Sequence, residues 1–116
     1  MTLLEVKNIL NAEVLTCEGD LASIDVPRGC GCDLLSDVLA FAERKTMLLT
    51  GLTNPQVIRT AEMNDLVAVV FVRGKRPPDE VIEMAKERGI PLLRTNYPLF
   101  ESCGLLFKAG LHGHCA

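Results

Sequence analysis

Residues 66–72 read Leu-Val-Ala-Val-Val-Phe-Val, seven apolar positions in a row. An unbroken run rich in β-branched residues marks a strand buried on both faces, because a strand with one wet face alternates. Three further segments are of this kind: 12–16 (AEVLT), 46–50 (TMLLT) and 91–95 (PLLRT). Between them apolar residues recur at helical spacing. Leu34, Leu35, Val38, Leu39 and Ala42 share one face of 33–43, and Val81, Ile82 and Ala85 share one face of 78–88, which Gly89 closes. Asn54-Pro55 opens a third helix, with proline in the first turn where its missing N–H costs nothing. A fourth helix covers about 97–108, and 2–10 forms an opening one. Strand and helix therefore alternate, which implies βαβ units and right-handed crossovers. The expected fold is a three-layer α/β/α sandwich around a mainly parallel sheet of four or five strands. Segment 23–26 (SIDV) is the expected fifth strand, short and antiparallel, at an edge.

At 116 residues the chain is one domain, expected over 1–111, with a flexible tail at 112–116. It is 48% hydrophobic and 23% charged, the balance of a packed core rather than of disorder. Twelve Lys and Arg against fifteen Asp and Glu leave a net charge of −3. No basic excess is present to neutralise phosphates, which excludes nucleic acid as a natural partner. The run at 66–72 is far short of the ~20 residues a membrane helix needs. The first ten residues, MTLLEVKNIL, have no secretory pattern, so a cytoplasmic protein is expected.

Open parallel sheets take ligands beyond the carboxyl ends of their strands. The loops expected there are 29–33, 50–54, 73–78 and 94–96. They bring Arg73, Lys75, Arg76 and Arg94 to one edge together with small hydroxyl residues. Guanidinium groups and helix N-termini favour negative charge, so this edge suits an anionic or nucleotide ligand. Arg73, Gly74, Arg94 and Thr95 are the expected contacts on one side, with Thr50 and Gly51 as the opposite wall. Loops of any α/β protein carry similar residues, so a ligand-free interaction domain is the competing assignment.

Gly29-Cys30-Gly31-Cys32 is the sharpest local motif. Glycines around a C-x-C let both sulfurs face one ion, and thiolates suit zinc or an iron–sulfur cluster. A helix opening at Asp33, with Asp33 as its N-cap, would lower the thiol pKa. Cys17, near the end of the first strand, is the expected third ligand. The C-x-C supplies two of the four sulfurs a cluster commonly uses, and a second subunit could supply the others. Cysteine in an α/β core is also a plain small hydrophobe. The tail His112-Gly113-His114-Cys115 is a second metal-like cluster. Both histidines lie in that tail, and no catalytic triad or H-E-x-x-H is present, so no enzyme activity is expected.

From Asp65 onward the order Asp65-Leu66-Val67, Pro78-Asp79-Glu80, Ala85-Lys86-Glu87-Arg88-Gly89-Ile90-Pro91-Leu92-Leu93 and Thr95 resembles the DRTGG domain and the related N-terminal, non-catalytic domain of HPr kinase/phosphorylase. Upstream, residues 31–38 (GCDLLSDV) resemble the helix start of small stand-alone members. The resemblance spans about 11–111 and implies an α/β/α domain that acts as a regulatory or ligand-sensing module. It also implies a homodimer, or a partner in an iron–sulfur hydrogenase or other metabolic system. The five-residue signature that names the family is absent, as is any G-x-x-x-x-G-K-[ST] phosphate loop, so kinase chemistry is not implied.

Overall fold

A computed structural model of the chain describes residues 1–113. In chain order it contains α1 (Leu3–Leu10), β1 (Glu13–Val14), a 3₁₀ helix (Glu18–Ser23), β2 (Arg28–Gly31), α2 (Leu35–Phe41), β3 (Thr46–Thr50), α3 (Pro55–Met63), β4 (Ala68–Phe71), α4 (Asp79–Glu87), β5 (Leu92–Arg94) and α5 (Leu99–Lys108). The strands form one sheet in the order β1-β5-β4-β3-β2. β2 to β5 run parallel, and β1 lies antiparallel on β5 with Glu13 opposite Arg94. This is the expected α/β sandwich.

β2 to β5 follow one another both in sequence and in space. Right-handed crossovers made in one direction put the intervening helices on one face. α2, α3 and α4 accordingly pack Val38, Val57, Ile58, Val81 and Ile82 over Leu48, Val69, Phe71 and Leu92. The opposite face, formed by Met47, Leu49, Ala68, Val70 and Leu93, is covered by Leu3, Val6 and Leu10 of α1 and Leu106 of α5. Alternate residues of β3 and β4 thus enter two different cores, and every residue of both strands is buried. That double burial is why β4 and the middle of β3 run apolar without alternation.

Local bonds fix where elements begin. At α1 the Thr2 hydroxyl accepts from the Glu5 N–H while the Glu5 carboxylate accepts from the Thr2 N–H at 3.0 Å, a reciprocal cap. Asn54 accepts from the Gln56 N–H at 3.0 Å and so caps α3 ahead of Pro55. After β1, the Thr16 hydroxyl donates to Ile90 O at 2.7 Å and accepts from the Leu92 N–H at 2.9 Å, locking the chain to the start of β5.

The structure departs from expectation in three places. Segment 23–26 does not join the sheet: Thr2 bridges Asp25 antiparallel and the Val26 N–H donates to Met1 O, so this stretch pairs with the first residues of the chain. The fifth strand is Arg28–Gly31 instead, which puts the motif expected as a loop into an edge strand parallel to β3. Its glycines are there for packing. A Cβ on Gly31 would lie 2.5 Å from Cys103 Sγ of α5, and one on Gly29 would lie 3.2 Å from Leu111 Cδ2. Third, Asp33 does not cap α2. The cap position is Leu34, with no side-chain bond, and the Asn64 amide satisfies the helix's far end by donating to Val38 O and Ala42 O.

The tail begins docked. His112 stacks on Phe107 at a centroid distance of 4.3 Å, and its carbonyl accepts from the Gly29 N–H at 3.0 Å. His114, Cys115 and Ala116 lie outside the described residues. Among the described residues no helix is long and apolar enough to cross a membrane.

The Gly31–Cys103 contact makes a testable claim. Gly31→Ala should destabilise the fold by roughly 1–3 kcal/mol in urea titration, the usual effect of overpacking. Adding Cys103→Ala should recover part of that loss, giving a coupling of more than about 0.5 kcal/mol. Strictly additive effects would show that α5 does not rest on β2 in this way.

Candidate functional site

α4 leaves β4 toward one face of the sheet and α5 leaves β5 toward the other. The loops beyond these two strands therefore part at the point where open sheets place ligands. Here they are stitched together. The Arg73 N–H donates to Tyr97 O at 2.9 Å and the Gly74 N–H to Thr95 O at 2.7 Å. Gly74 has φ +68°, and a Cβ there would lie 2.9 Å from Asn96 Oδ1, so glycine is what lets the loops close.

Two of the expected ligand contacts are held by the protein itself. Thr95 is buried, and its hydroxyl donates to Leu10 O at 2.7 Å, tying β5 to the end of α1. Arg94 Nε lies 3.2 Å from a Glu13 carboxylate oxygen, which Arg76 approaches at 4.0 Å. Arg94 thus pins the edge strand β1 across the pair it makes with β5. Arg73 is different: it stands at φ +59° at the loop tip, exposed, and no described residue pairs with its guanidinium.

The opposite wall holds the better-built arrangement. Asp33, at the end of β2, turns away from its own helix and reaches the end of β3. Its Oδ1 accepts from the Thr50 hydroxyl at 2.9 Å and from the Gly51 N–H at 2.7 Å. Lys75, from the loop after β4, donates to Gly51 O at 3.1 Å. The ammonium and both Asp33 oxygens lie within 3.7 Å of the point a Cβ on Gly51 would occupy. Three consecutive strand ends therefore meet at Gly51, with the Asp33 carboxylate on its N–H and the Lys75 ammonium on its carbonyl. Thr50 and Gly51 were among the expected site residues. Lys75 is one of the four cations expected at this edge, whereas Asp33 is not an expected contact, because an Asp just before a helix pattern reads as that helix's cap.

The four described cysteines do not assemble into a metal centre with one another. Cys30 is half-buried in β2, and burial pushes its thiol pKa up, with Cys32 and Cys103 adding to the rise. That is the reverse of the lowering expected from a helix opening at Asp33. Burial raises the Cys103 thiol as well. Cys32 accepts from the Leu34 N–H at 3.4 Å, a local turn. Cys17 caps the 3₁₀ helix beside Thr16, which is bound to β5. Three strand spacings of about 4.8 Å put ~14 Å between β5 and β2, so Cys17 is not a partner for Cys30 and Cys32. Among the described residues no three metal-ligating side chains converge. Zinc and iron–sulfur clusters do not fit the donors that the described residues of one chain present.

Thiol reactivity checks this placement. With their pKa values raised, Cys30 and Cys103 carry less thiolate at pH 8 than an ordinary cysteine and should alkylate more slowly. Their rate-versus-pH midpoints, read by mass spectrometry, should fall above those of the same thiols in the denatured chain. Midpoints below the denatured values would place these sulfurs in an electropositive site instead.

None of the curated proteins matches the chain in sequence. Among solved structures it is similar to the CBS and DRTGG domains of the regulatory region of Clostridium perfringens pyrophosphatase, a complex with the activator diadenosine tetraphosphate. That match covers 90% of this chain and 45% of the other, with a TM-score of 0.76 and 16% identity. The chain spans less than half of that relative, and at this identity the likeness is one of fold. The DRTGG domain profile matches residues 5–108, nearly the full length, and the chain belongs to the DRTGG domain family.

Proposed function

We propose that this domain is a non-catalytic regulatory module that senses a phosphate-bearing small molecule at the carboxyl ends of β2, β3 and β4. The observation that carries this is the set of groups around the Asp33 carboxylate: the Thr50 hydroxyl, the Gly51 N–H and, beside them, the Lys75 ammonium. A hydroxyl and a backbone amide that share one acceptor oxygen, with a cation on the same glycine, are the groups that a phosphate needs. Asp33 holds that position, so a phosphate would bind by displacing it. Arg73, exposed one strand end away, supplies a second cation to the rest of the anion.

The relative's regulatory region was solved with a dinucleoside polyphosphate activator, and a ligand of that kind is consistent with this seat. Occupancy would be read by a sister subunit or by a partner protein. The resemblance of residues 31–38 to small stand-alone members is what supports a partner from a hydrogenase or other metabolic system in this reading.

Titration calorimetry with inorganic pyrophosphate tests the seat. The unmodified chain should bind, and Lys75→Ala should weaken binding at least tenfold. Asp33→Asn keeps an acceptor toward Thr50 and Gly51 but removes the competing charge, so it should tighten binding about tenfold, or about 1.4 kcal/mol. Arg94→Ala should leave the affinity within about twofold, since Glu13 already engages that side chain. Pyrophosphate that ignores both Lys75→Ala and Asp33→Asn would sink the proposal.

A further inference from the structure

A cavity of about 290 Å³ opens between the edge strand β2 and α2, close to the lower bound of small-molecule sites. Arg28, Cys30 and Cys32 line it from β2 and the residues after it, Asp37 and Phe41 from α2, and Thr46 from the start of β3. In the β2–β3 register Arg28 lies opposite Thr46 and Cys30 opposite Leu48, and Leu48 faces the helices α2 to α4. Thr46, two residues before Leu48, therefore points to the same side as the cavity. It is 3% exposed, and its hydroxyl has no hydrogen-bond partner. A buried hydroxyl left unpaired is costly and rare in a native fold.

The other groups around the cavity define what would fit. Arg28 is engaged by the Glu43 carboxylate and by Arg44 O, so it does not offer a free cation. The Asp37 carboxylate pairs with no described residue and is exposed at the mouth. Phe41, 75% exposed, presents a whole ring at the rim. The cavity is therefore rich in acceptors, walled on one side by an aromatic face, and hostile to anions.

We propose that this cavity binds the flat, amino-bearing heterocycle of a nucleoside, with Phe41 stacking on the ring, Thr46 bonding its inner edge and Asp37 accepting from its amino group. The inference deepens the ligand-sensing function proposed above and rests on it in one respect. Cys32 lines the cavity and Asp33 follows it directly, so the ring site and the phosphate seat are neighbours along one stretch of chain. A nucleotide would engage both, its base in the cavity and its phosphate at Gly51.

The test uses adenosine, which has no phosphate, against the full chain by chemical-shift titration. Adenosine should shift resonances of β2 and α2, and Phe41→Ala should weaken binding at least tenfold. Thr46→Val should weaken it about fivefold while leaving the melting temperature of the free protein equal or higher, because the lost hydroxyl had no partner. Neither variant should alter pyrophosphate affinity. If pyrophosphate binds and adenosine does not, this inference fails and the seat stands. If adenosine binds and pyrophosphate does not, the seat fails and the cavity stands. Should Phe41→Ala change the sedimentation behaviour of the chain but not its adenosine affinity, the cavity is a self-association face and the inference is overturned.

Discussion

Burial of β3 and β4 on both faces is the constraint from which the rest of this fold follows. Both strands are buried at every position, so each face of the sheet needs its own layer of helix. Sequential parallel order delivers α2, α3 and α4 to one face only. The other must be closed by the two ends of the chain, α1 and α5. α5 lies over β2 and β3, and it can come that close because β2 offers it only glycine: Cys103 rests against Gly31, and Leu111 against Gly29. A motif with the look of a metal loop is, in this fold, a smooth strand face on which a helix lies.

The same closure determines which polar groups are left for other work. Tying α1 to the sheet requires a partner for Leu10 O, which Thr95 supplies, and holding the two-residue strand β1 requires Glu13 to meet Arg94. These residues stand where ligands bind in open sheets, yet their bonds are internal. One loop pair away the constraint is absent. The Asp33 carboxylate and the Lys75 ammonium are bound only to Thr50 and Gly51, and neither side chain ties a helix to the sheet. A group held by local bonds that another anion can replace is a natural receptor, whereas one held by a tertiary tie is not.

Much of the fold was legible from residue pattern, and the parts that were not have definite physical causes. β3, β4 and the helices α3 and α4 show themselves through periodicity, because burial on two faces or on one stripe dictates it. β2 does not, since glycine and cysteine carry no strand signal; its place comes from the helix that needs a flat surface. Segment 23–26 has strand-like residues and is extended, but it pairs with Met1 and Thr2, a partner no local pattern names. Asp33 sits where a helix cap belongs by every local rule, and a bond to Gly51 eighteen residues away outcompetes the cap. Arg94 and Thr95 lie at the correct strand end, but sequence cannot tell a side chain held by a neighbour from one that faces solvent.

The two candidate binding features have opposite electrostatic character, and their order along the chain ties them together. The cavity holds acceptors: the unpaired Thr46 hydroxyl and an exposed ring toward the amino end of β3, and the Asp37 carboxylate in the first turn of α2. At the carboxyl end lie donors: the Thr50 hydroxyl, the Gly51 amide and the Lys75 ammonium. A molecule with an amino-bearing ring at one end and phosphate at the other matches that polarity, and one with either half alone satisfies only part of it. Asp33 links the two, because the carboxylate that must leave the seat belongs to the residue after Cys32, on the cavity wall. Binding at one site would therefore move backbone at the other. An anion that displaces Asp33 would release its bonds to Thr50 and Gly51 just ahead of α2, and α2 carries Phe41 to the surface. Occupancy would then be visible outside the domain as a change in the position of an exposed aromatic ring, which is the kind of change a partner surface can read.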